Sequence, residues 1–260
     1  REVPRALRDG NWTVTVVLWG PNRLVAVEPG DTTQHHYGIA FDIGTTTIVG
    51  YLVDLNTGKT LAVSSMLNPQ IAYGEDVISR ISYATSAPSS SPVYQPGASP
   101  PGSKHPGDEL TDLARQSLRT IIADTAAEAG VSPSYIYEVT VVGNTAMHHF
   151  FAGLDTTYLA RSPFTPVVSD PLDIPASVMD LGVNPHGNVH LLPVIAGFVG
   201  ADTVGVILST RLHLSKEILL AIDIGTNGEV VLGTKERLYA ASCAAGPALE
   251  GARITCGSRA

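Results

Sequence analysis

Two stretches of the chain share one pattern of apolar and polar positions. In residues 38–53 (GIAFDIGTTTIVGYLV) an apolar run leads into Asp42, a short turn of glycine and threonine follows, and a second apolar run continues. The same pattern returns around Asp223 in residues 218–232. Each copy predicts a strand, a tight turn and a second strand. Two copies in one chain predict two related lobes that present their turns to the same ligand.

The segments around the first copy predict an α/β lobe. Residues 60–65 form a third strand pattern, so three consecutive antiparallel strands are expected, as at the start of an RNase H-like fold. Residues 12–19 and 24–27 predict two earlier strands, which would form a small β appendage. The predicted division of the chain is an appendage at 1–37, a first lobe at 38–200 and the beginning of a second lobe at 201–260.

Helical periodicity predicts four helices, at residues 74–84, 108–129, 146–151 and 203–212. In the first helix Arg80 is expected on the polar face. Asp108 is the predicted N-cap of the second helix and Gly130 its stop. The last helix is expected to cross between the lobes, with Asp202 as its cap. Residues 85–107 are rich in proline and serine and predict a mobile loop, either a tolerated insertion or a regulatory or docking segment.

The residue types in the two turns suit a phosphate ligand, although an ordinary β-hairpin is the alternative. Glycine lets the backbone approach a ligand closely, amides at a tight turn bind anions, and threonine hydroxyls add donors. An aspartate beside a polyphosphate requires a cation between them, and Mg²⁺ uses few carboxylates while it keeps several waters. The candidate contacts are Gly44, Thr45, Thr46, Thr47, Gly225, Thr226 and Asn227, with Asp42 and Asp223 holding Mg²⁺ through water.

Other polar residues near the turns have two interpretations each. Glu229 follows Asp223 on the outgoing strand and either points into the cleft, to orient an attacking water or a hydrated Mg²⁺, or lies on the strand surface. Residues 143–145 lead from a strand into a helix, as an anion site or as an ordinary N-cap. Adjacent His148 and His149 cannot both face one ligand. The remaining candidates face the cleft or serve the fold alone: Asn68, Gln70 and Asp76.

Composition narrows the function classes. The chain has 260 residues and a net charge of −8, and its basic residues are scattered, which disfavours nucleic-acid binding. No apolar run is long enough for a membrane span, and the first residues lack a signal-peptide pattern, so a cytoplasmic protein is expected. Cys243 and Cys256 are predicted to be buried or half-buried free thiols, and two cysteines cannot hold a [2Fe-2S] cluster.

Five motifs in one order resemble those of the ATP-dependent reductive activators of corrinoid proteins, a branch of the ASKHA superfamily (actin, Hsp70, sugar kinases). The motifs are IAFDIGTTTIVGYLVDLNTGK, NPQIAYGEDVISRI, VVGNTAMHHFFAG, IDIGTNGEVVLG and CAAGPALEGARI. Members of that family are usually longer, with an N-terminal [2Fe-2S] ferredoxin domain, a linker, a middle domain and a C-terminal domain. The resemblance implies that this chain begins inside the linker and ends with its second lobe incomplete.

The resemblance also implies a function. ATP binding and hydrolysis would drive the reduction of a corrinoid from Co(II) to Co(I), with electrons from an iron–sulfur domain outside this chain. The implied partner is a corrinoid protein of a methyltransferase system, and a homodimer is compatible with the family. We assign Asp42, Asp223 and Glu229 as catalytic and add Gly246 to the nucleotide contacts. The alternatives are a small-molecule kinase of the same superfamily and a nucleotide-controlled assembly protein.

Overall fold

The computed structural model describes residues 3–86, 105–225 and 227–244. The strands in these residues are β1 (Val14–Trp19), β2 (Arg23–Pro29), β3 (Tyr37–Ile43), β4 (Thr47–Asp54), β5 (Lys59–Leu67), β6 (Ile136–Gly143), β7 (Leu172–Pro175), β8 (Asn188–Leu191), β9 (Leu219–Ile224), β10 (Asn227–Thr234) and β11 (Arg237–Ala244). The α-helices are α1 (Val3–Asp9), α2 (Val77–Thr85), α3 (Pro106–Ala129), α4 (Thr145–Ala152), α5 (Ala176–Met179) and α6 (Ala201–Ser209). Short 3-10 helices span Pro69–Tyr73, Pro133–Tyr135, Thr157–Ala160 and Leu212–Leu214.

A six-stranded sheet carries the first lobe, with its strands in the order β5-β4-β3-β6-β8-β7. β3, β4 and β5 pair antiparallel, whereas β6 and β8 continue the sheet in parallel with β3. Parallel neighbours require a long crossover connection, and the chain from β5 to β6 contains α2 and α3. The predicted three consecutive antiparallel strands and the α/β class are therefore confirmed.

One face of this sheet packs against α3. Ile39, Phe41 and Ile43 of β3 point to that face and are at most 2% exposed. A Cβ on Gly50 of β4 would lie 2.5 Å from Cγ2 of Ile121, so the missing side chain allows the helix to approach closely. Each fully buried apolar side chain contributes about 1.5–3 kcal/mol relative to its exposed form. Because side chains alternate along a strand, this anchoring places intervening residues of β3 on the opposite face.

Helix α3 confirms the predicted stop and corrects the predicted start. Gly130 ends it in the left-handed conformation, at φ 66°. The helix begins before Asp108, and His105 is the N-cap because its Nδ1 accepts the Gly107 amide at 3.1 Å. The predicted Asp108 cap is therefore wrong, and this carboxylate lies in the first turn, where it favours the helix dipole. Most of the predicted loop, residues 87–104, lies outside the described residues.

Helix α2 corrects the prediction for Arg80. The helix begins at Val77, and Asp76 caps it by accepting the Ser79 amide at 2.7 Å. Arg80 is fully buried, whereas the apolar Ile78 is 46% exposed. The expectation of Arg80 on the polar face is wrong because its guanidinium finds main-chain acceptors in the interior, which compensate for part of the cost of its burial.

The first residues form a small unit on the edge of the lobe. β1 and β2 make the predicted hairpin, but α1 precedes them, so a purely β appendage is wrong. Helices this short have little intrinsic stability, and α1 is held by its packing on β2 through buried Ala6. Trp19 Nε1 donates to Glu138 Oε2 of β6 at 2.9 Å, and Arg23 donates to the His186 carbonyl at 3.3 Å. These bonds fix the hairpin to the lobe.

Helix α6 joins the first lobe to a three-stranded antiparallel sheet of β9, β10 and β11. Gly200 is its N-cap and no side chain caps it, so the predicted cap at Asp202 is wrong and Asp202 lies in the first turn. The helix packs with Val142 of β6 at its beginning, and Ile207 packs with Val231 of β10 further along. One helix therefore sets the distance between the two sheets.

Among the residues that the structure describes, no helix combines the length and the apolar character needed to cross a bilayer.

Candidate functional site

The turn between β3 and β4 is held from behind by the segment that follows β5. The side-chain amide of Asn68 donates to the Gly44 carbonyl at 2.9 Å, and the Asn68 main-chain amide donates to the Thr46 carbonyl at 2.8 Å. The Thr45 carbonyl accepts Nη2 of Arg80 at 2.6 Å. Three consecutive carbonyls of the turn are thus bonded toward the protein interior.

This arrangement turns the amides of the turn toward the cleft. In a trans peptide the C=O and N–H point in opposite directions, so inward carbonyls at Gly44 and Thr45 send the amides of Thr45 and Thr46 outward. Within the described residues these two amides have no acceptor. The Thr45 hydroxyl accepts Nδ2 of Asn144 at 3.0 Å and still has its own hydrogen to donate. Successive free amides in a turn form a concavity that binds anions.

Asp42 lies beside this concavity, at the end of β3. It is in register with Val142 of β6, on the face of the sheet where α6 packs. The side chain of Asp42 is exposed to solvent. Nearby protein atoms nevertheless remove part of the hydration of its carboxylate, and this partial desolvation, followed by repulsion from Asp202 and Asp223, raises the pKa of Asp42 to about 6.

Two further carboxylates come from α6 and from the second sheet. Burial raises the pKa of Asp202 above its ordinary value, the Thr203 amide opposes this change, and repulsion from Asp223 adds to it. Glu229 lies opposite Asp223 on the paired strands β9 and β10. Burial raises the pKa of Glu229 above its ordinary value, against the hydrogen bond from Ser242 Oγ at 2.9 Å, and repulsion from Asp202 and Asp223 contributes.

Four carboxylates from both sheets and from α6 therefore act on one another: Asp42, Asp202, Asp223 and Glu229. Sequence reasoning missed Asp202, which resembled a helix cap. The signal that could have found it was its place on the helix predicted to cross between the lobes. Such mutual repulsion is relieved by a cation.

The donor set fits a hydrated cation better than a fully coordinated one. Within the described part of the chain, no three His, Cys, Asp or Glu side chains are placed to ligate one metal ion. Mg²⁺ uses one or two carboxylates, keeps several waters and completes its shell with substrate phosphates. Asp42 and Asp223 lie on either side of the cleft and suit such an ion.

The second turn repeats one feature of the first. The Gly44 amide donates to the Thr47 carbonyl at 3.0 Å, and the Gly225 amide donates to the Asn227 carbonyl at 3.0 Å. In both turns the closing hydrogen bond is thus donated by the amide of the glycine that follows the Asp-Ile dipeptide. Two predicted contacts, Thr226 and Gly246, lie outside the described residues.

Other polar candidates serve the fold. Asn68 is 1% and Gln70 is 0% exposed, and the Gln70 side chain donates to the Leu110 carbonyl at 2.8 Å. Asp76 caps α2, and Asn144 caps α4 by accepting the Met147 amide at 3.0 Å. Asn68 and Gln70 are therefore buried parts of the fold, and Asp76 uses one carboxylate oxygen to cap a helix.

His148 and His149 are both buried, and burial keeps both neutral. It lowers the pKa of His148 to about 4 and that of His149 below its ordinary value. Nε2 of His149 accepts the Val167 amide at 3.0 Å, so its Nδ1 carries the hydrogen that reaches the Thr145 carbonyl at 2.8 Å. Cys243 is an exposed free thiol, so its predicted burial is wrong, and Cys256 lies outside the described residues.

Comparison with known families identifies the fold and its parts. A family model described as the RACo middle region matches residues 37–94 and 102–215. The chain belongs to the RACo family. The RACo linker region matches residues 1–34, and the C-terminal ASKHA domain of RACo matches residues 217–260. The resemblance to reductive activators of corrinoid proteins is thereby confirmed.

Two curated proteins are similar to most of this chain. The chain is 39% identical over 252 residues to the corrinoid activation enzyme RamQ of Eubacterium limosum, covering 96% of this chain and 39% of the relative. It is 28% identical over 232 residues to a [Co(II) methylated amine-specific corrinoid protein] reductase of Methanosarcina barkeri, covering 85% of this chain and 38% of the relative. The chain thus spans about two fifths of the length of the curated relatives it matches.

A solved structure matches all of the chain. It is a reductive activator for a corrinoid iron–sulfur protein, with 38% identity, a TM-score of 0.84, and 39% of its own length covered. The RNase H-like α/β class predicted for the lobes is confirmed. In RACo terms, the first turn and α6 lie in the middle region, and the second turn lies in the C-terminal ASKHA domain.

Proposed function

We propose that this chain is the ATP-binding and ATP-hydrolysing part of a protein that reduces corrinoid proteins from Co(II) to Co(I). RamQ is named a corrinoid activation enzyme, and the Methanosarcina relative is named a reductase of a Co(II) corrinoid protein. A corrinoid protein is therefore the proposed partner. The two cysteines of this chain cannot hold an iron–sulfur cluster, so the electrons come from a separate iron–sulfur domain.

The nucleotide proposal rests on one observation: groups that attract an anion and groups that attract a cation lie in the same cleft. The free amides of Thr45 and Thr46 attract an anion. Beside them the carboxylates of Asp42, Asp202 and Asp223 repel one another. A polyphosphate that carries Mg²⁺ satisfies both, because its oxygens accept the amides and its cation neutralises the carboxylates.

Each lobe contributes groups to the proposed reaction. The amides of Thr45 and Thr46 hold the phosphates, and Asp42 and Asp223 hold waters of the cation. Mg²⁺, when bound, stabilises charge on the phosphoryl oxygens. Glu229, held by Ser242 and facing the same cleft, orients the attacking water.

ATP drives an unfavourable reduction only through a difference between two conformations. A nucleotide shifts an equilibrium by its differential affinity for the two states. Because α6 packs on both sheets, a ligand bound between the turns changes the free energy of their separation. Binding and hydrolysis of ATP would in this way close and open the two lobes, and this movement would act on the corrinoid partner.

Calorimetric titration with Mg-ATP tests the proposal. We expect the unmodified chain to bind, and Asp42→Ala and Asp223→Ala to weaken binding by about 10–100-fold, the usual effect of removing a group that supports a metal ion. Asp124→Ala is the matched control, because Asp124 is an exposed carboxylate on α3. Absence of binding by the folded chain, or unchanged affinity in both cleft variants, would exclude a nucleotide held between the turns.

A further inference from the structure

Arg80 has an unusual environment for an arginine. It is fully buried, and its guanidinium has only uncharged acceptors. Nη2 donates to the Thr45 carbonyl at 2.6 Å and Nε to the Gly74 carbonyl at 2.9 Å. Nη1 makes longer contacts, 3.4 Å to Gln70 Oε1 and 3.5 Å to Met147 Sδ.

The charge of Arg80 has no counter-ion within bonding distance. In the described parts of the chain, no ion pair joins it to a carboxylate. Burial lowers its pKa to about 10, with Asp76 opposing the change, so the guanidinium stays charged at neutral pH. A buried charge without a partner costs several kcal/mol. The hydrogen bonds of Arg80 to the Thr45 and Gly74 carbonyls offset part of this cost, but neutral donors can also bond carbonyls, so these bonds alone give no reason for a charge at this position.

The position of Arg80 supplies that reason. It bonds the Thr45 carbonyl, and the amide of the same peptide, on Thr46, points to the cleft. A cation on the carbonyl polarises the peptide and strengthens the amide as a donor. The unpaired positive charge of Arg80 therefore lies on one side of the Thr45–Thr46 peptide, and the proposed anion site lies on the other side.

We propose that Arg80 positions the first turn and provides the buried positive charge that a bound polyphosphate neutralises, without touching the ligand. This inference rests on the proposed nucleotide site and deepens it. The charge of Arg80 would explain why the turn prefers an anion although the surrounding carboxylates repel one. A low dielectric between Arg80 and the cleft makes this attraction stronger than it would be in water.

The test compares variants that keep or remove the charge. Arg80→Met removes the charge at similar size, and Arg80→Lys keeps the charge but loses the planar fork. Arg115→Met is the matched control, since Arg115 is a half-buried arginine that donates to a main-chain carbonyl, that of Phe151 at 3.2 Å, away from the turn. Calorimetry measures the affinity for Mg-ATP and Mg-pyrophosphate, and thermal unfolding measures the stability of each variant.

We expect Arg80→Met to weaken both ligands by about tenfold or more, Arg80→Lys to recover most of that loss, and Arg115→Met to bind like the unmodified chain. A loss that is equal in the Lys and Met variants, or that follows their melting temperatures, would overturn the charge role. An unmodified chain that binds neither ligand would instead overturn the nucleotide site itself, and this inference with it.

A second measurement decides the matter if Arg80→Met does not fold. Pyrophosphate with Mg²⁺ is titrated into the unmodified, ¹⁵N-labelled chain while the amide resonances of Thr45 and Thr46 are followed. The proposal is supported if both amide resonances shift saturably, and if the affinity obtained from these shifts is lower in Arg80→Gln but retained in Arg80→Lys. Unshifted amides, or equal affinity in the Gln and Lys variants, contradict it.

Discussion

The carboxylate of Asp42 is kept in an environment that opposes its ionisation. Burial and the neighbouring acids raise its pKa to about 6, so the folded state is penalised when the group becomes charged. Functional sites commonly retain such destabilising groups because the ligand relieves them. The Mg²⁺ of the proposed nucleotide complex would relieve this penalty on Asp42.

This exchange predicts a pH-dependent effect of Asp42→Asn. Below the ordinary carboxyl pKa the group is protonated in both folded and unfolded chains, and the variant and the unmodified chain should unfold alike. Between about pH 3.8 and 6 the carboxyl of the unmodified chain ionises in the unfolded state but stays protonated in the folded state, so the unmodified chain loses stability across this range and keeps the full penalty above it. We expect the variant to melt at a higher temperature at pH 8 and at an equal one near pH 3.5.

Thermal unfolding at several pH values measures this difference. Asp124→Asn on the surface of α3 is the control and should melt like the unmodified chain throughout. If Asp42→Asn is no more stable than the unmodified chain at pH 8, the surroundings of Asp42 do not oppose its ionisation. If it is also more stable near pH 3.5, the effect comes from packing and not from charge.

At the scale of elements, the predictions agree with the structure where neighbouring residues determine the conformation. They differ where contacts between distant segments determine it. The strands around Asp42 and Asp223 were predictable because apolar runs and glycine-rich turns are local signals. The start of α3 moved because His105, a weak cap by composition, had its ring beside the Gly107 amide. Arg80 was misplaced because helical periodicity cannot anticipate main-chain acceptors from other elements.

The flanks of residues 87–104 are held together independently of that segment. The Tyr83 hydroxyl donates to Glu109 at 2.6 Å, and the Tyr73 hydroxyl donates to the same carboxylate at 2.8 Å. A Cβ on Gly107 would lie 4.0 Å from the Ala84 carbonyl, so the ends of α2 and α3 are already close. The connection between the helices therefore needs little length.

We predict that replacing residues 87–104 with a Gly/Ser linker of about six residues keeps the fold and raises the free energy of unfolding by about 1 kcal/mol, because a shorter loop closes at a lower entropic cost. Urea unfolding measures the change. A loss of cooperative unfolding would mean that the segment belongs to the core. An intact fold that no longer binds the proposed corrinoid partner would assign the segment a docking role.

At the scale of the whole molecule, α6 determines how the two sheets meet. Its beginning touches α4, where a Cβ on Gly200 would lie 2.5 Å from Asn144 Cα and 2.7 Å from the Gly143 carbonyl. These atoms belong to the main chain and cannot move aside as the end of a side chain can. The absence of a side chain at Gly200 thus allows Asp202 to approach the first turn.

Gly200→Ala should therefore move α6 away from the lobe. We expect a loss of about 1–3 kcal/mol in the free energy of unfolding, as for other overpacked sites, and weaker Mg-ATP binding. The pKa of Asp42 should also fall toward its ordinary value as Asp202 withdraws, which an NMR titration of the carboxyl group detects.

Gly205→Ala is the matched control within the same helix. A Cβ there meets only Cγ1 of Val142 at 3.6 Å, an ordinary contact, and alanine favours a helix by about 0.5–1 kcal/mol over glycine. We expect the control to be at least as stable as the unmodified chain. Equal behaviour of the two variants would show that contact between Gly200 and α4 does not hold the lobes.

The sequence by itself predicted the two turns, the α/β class and the place of Asp42 and Asp223 beside those turns, because repeated local patterns are written in neighbouring positions. Only the tertiary structure decided that Asp202 joins them and that Arg80 lies buried behind the first turn. Both depend on distances between segments far apart in the chain. Burial and charge repulsion are set by those distances, and no local pattern records them.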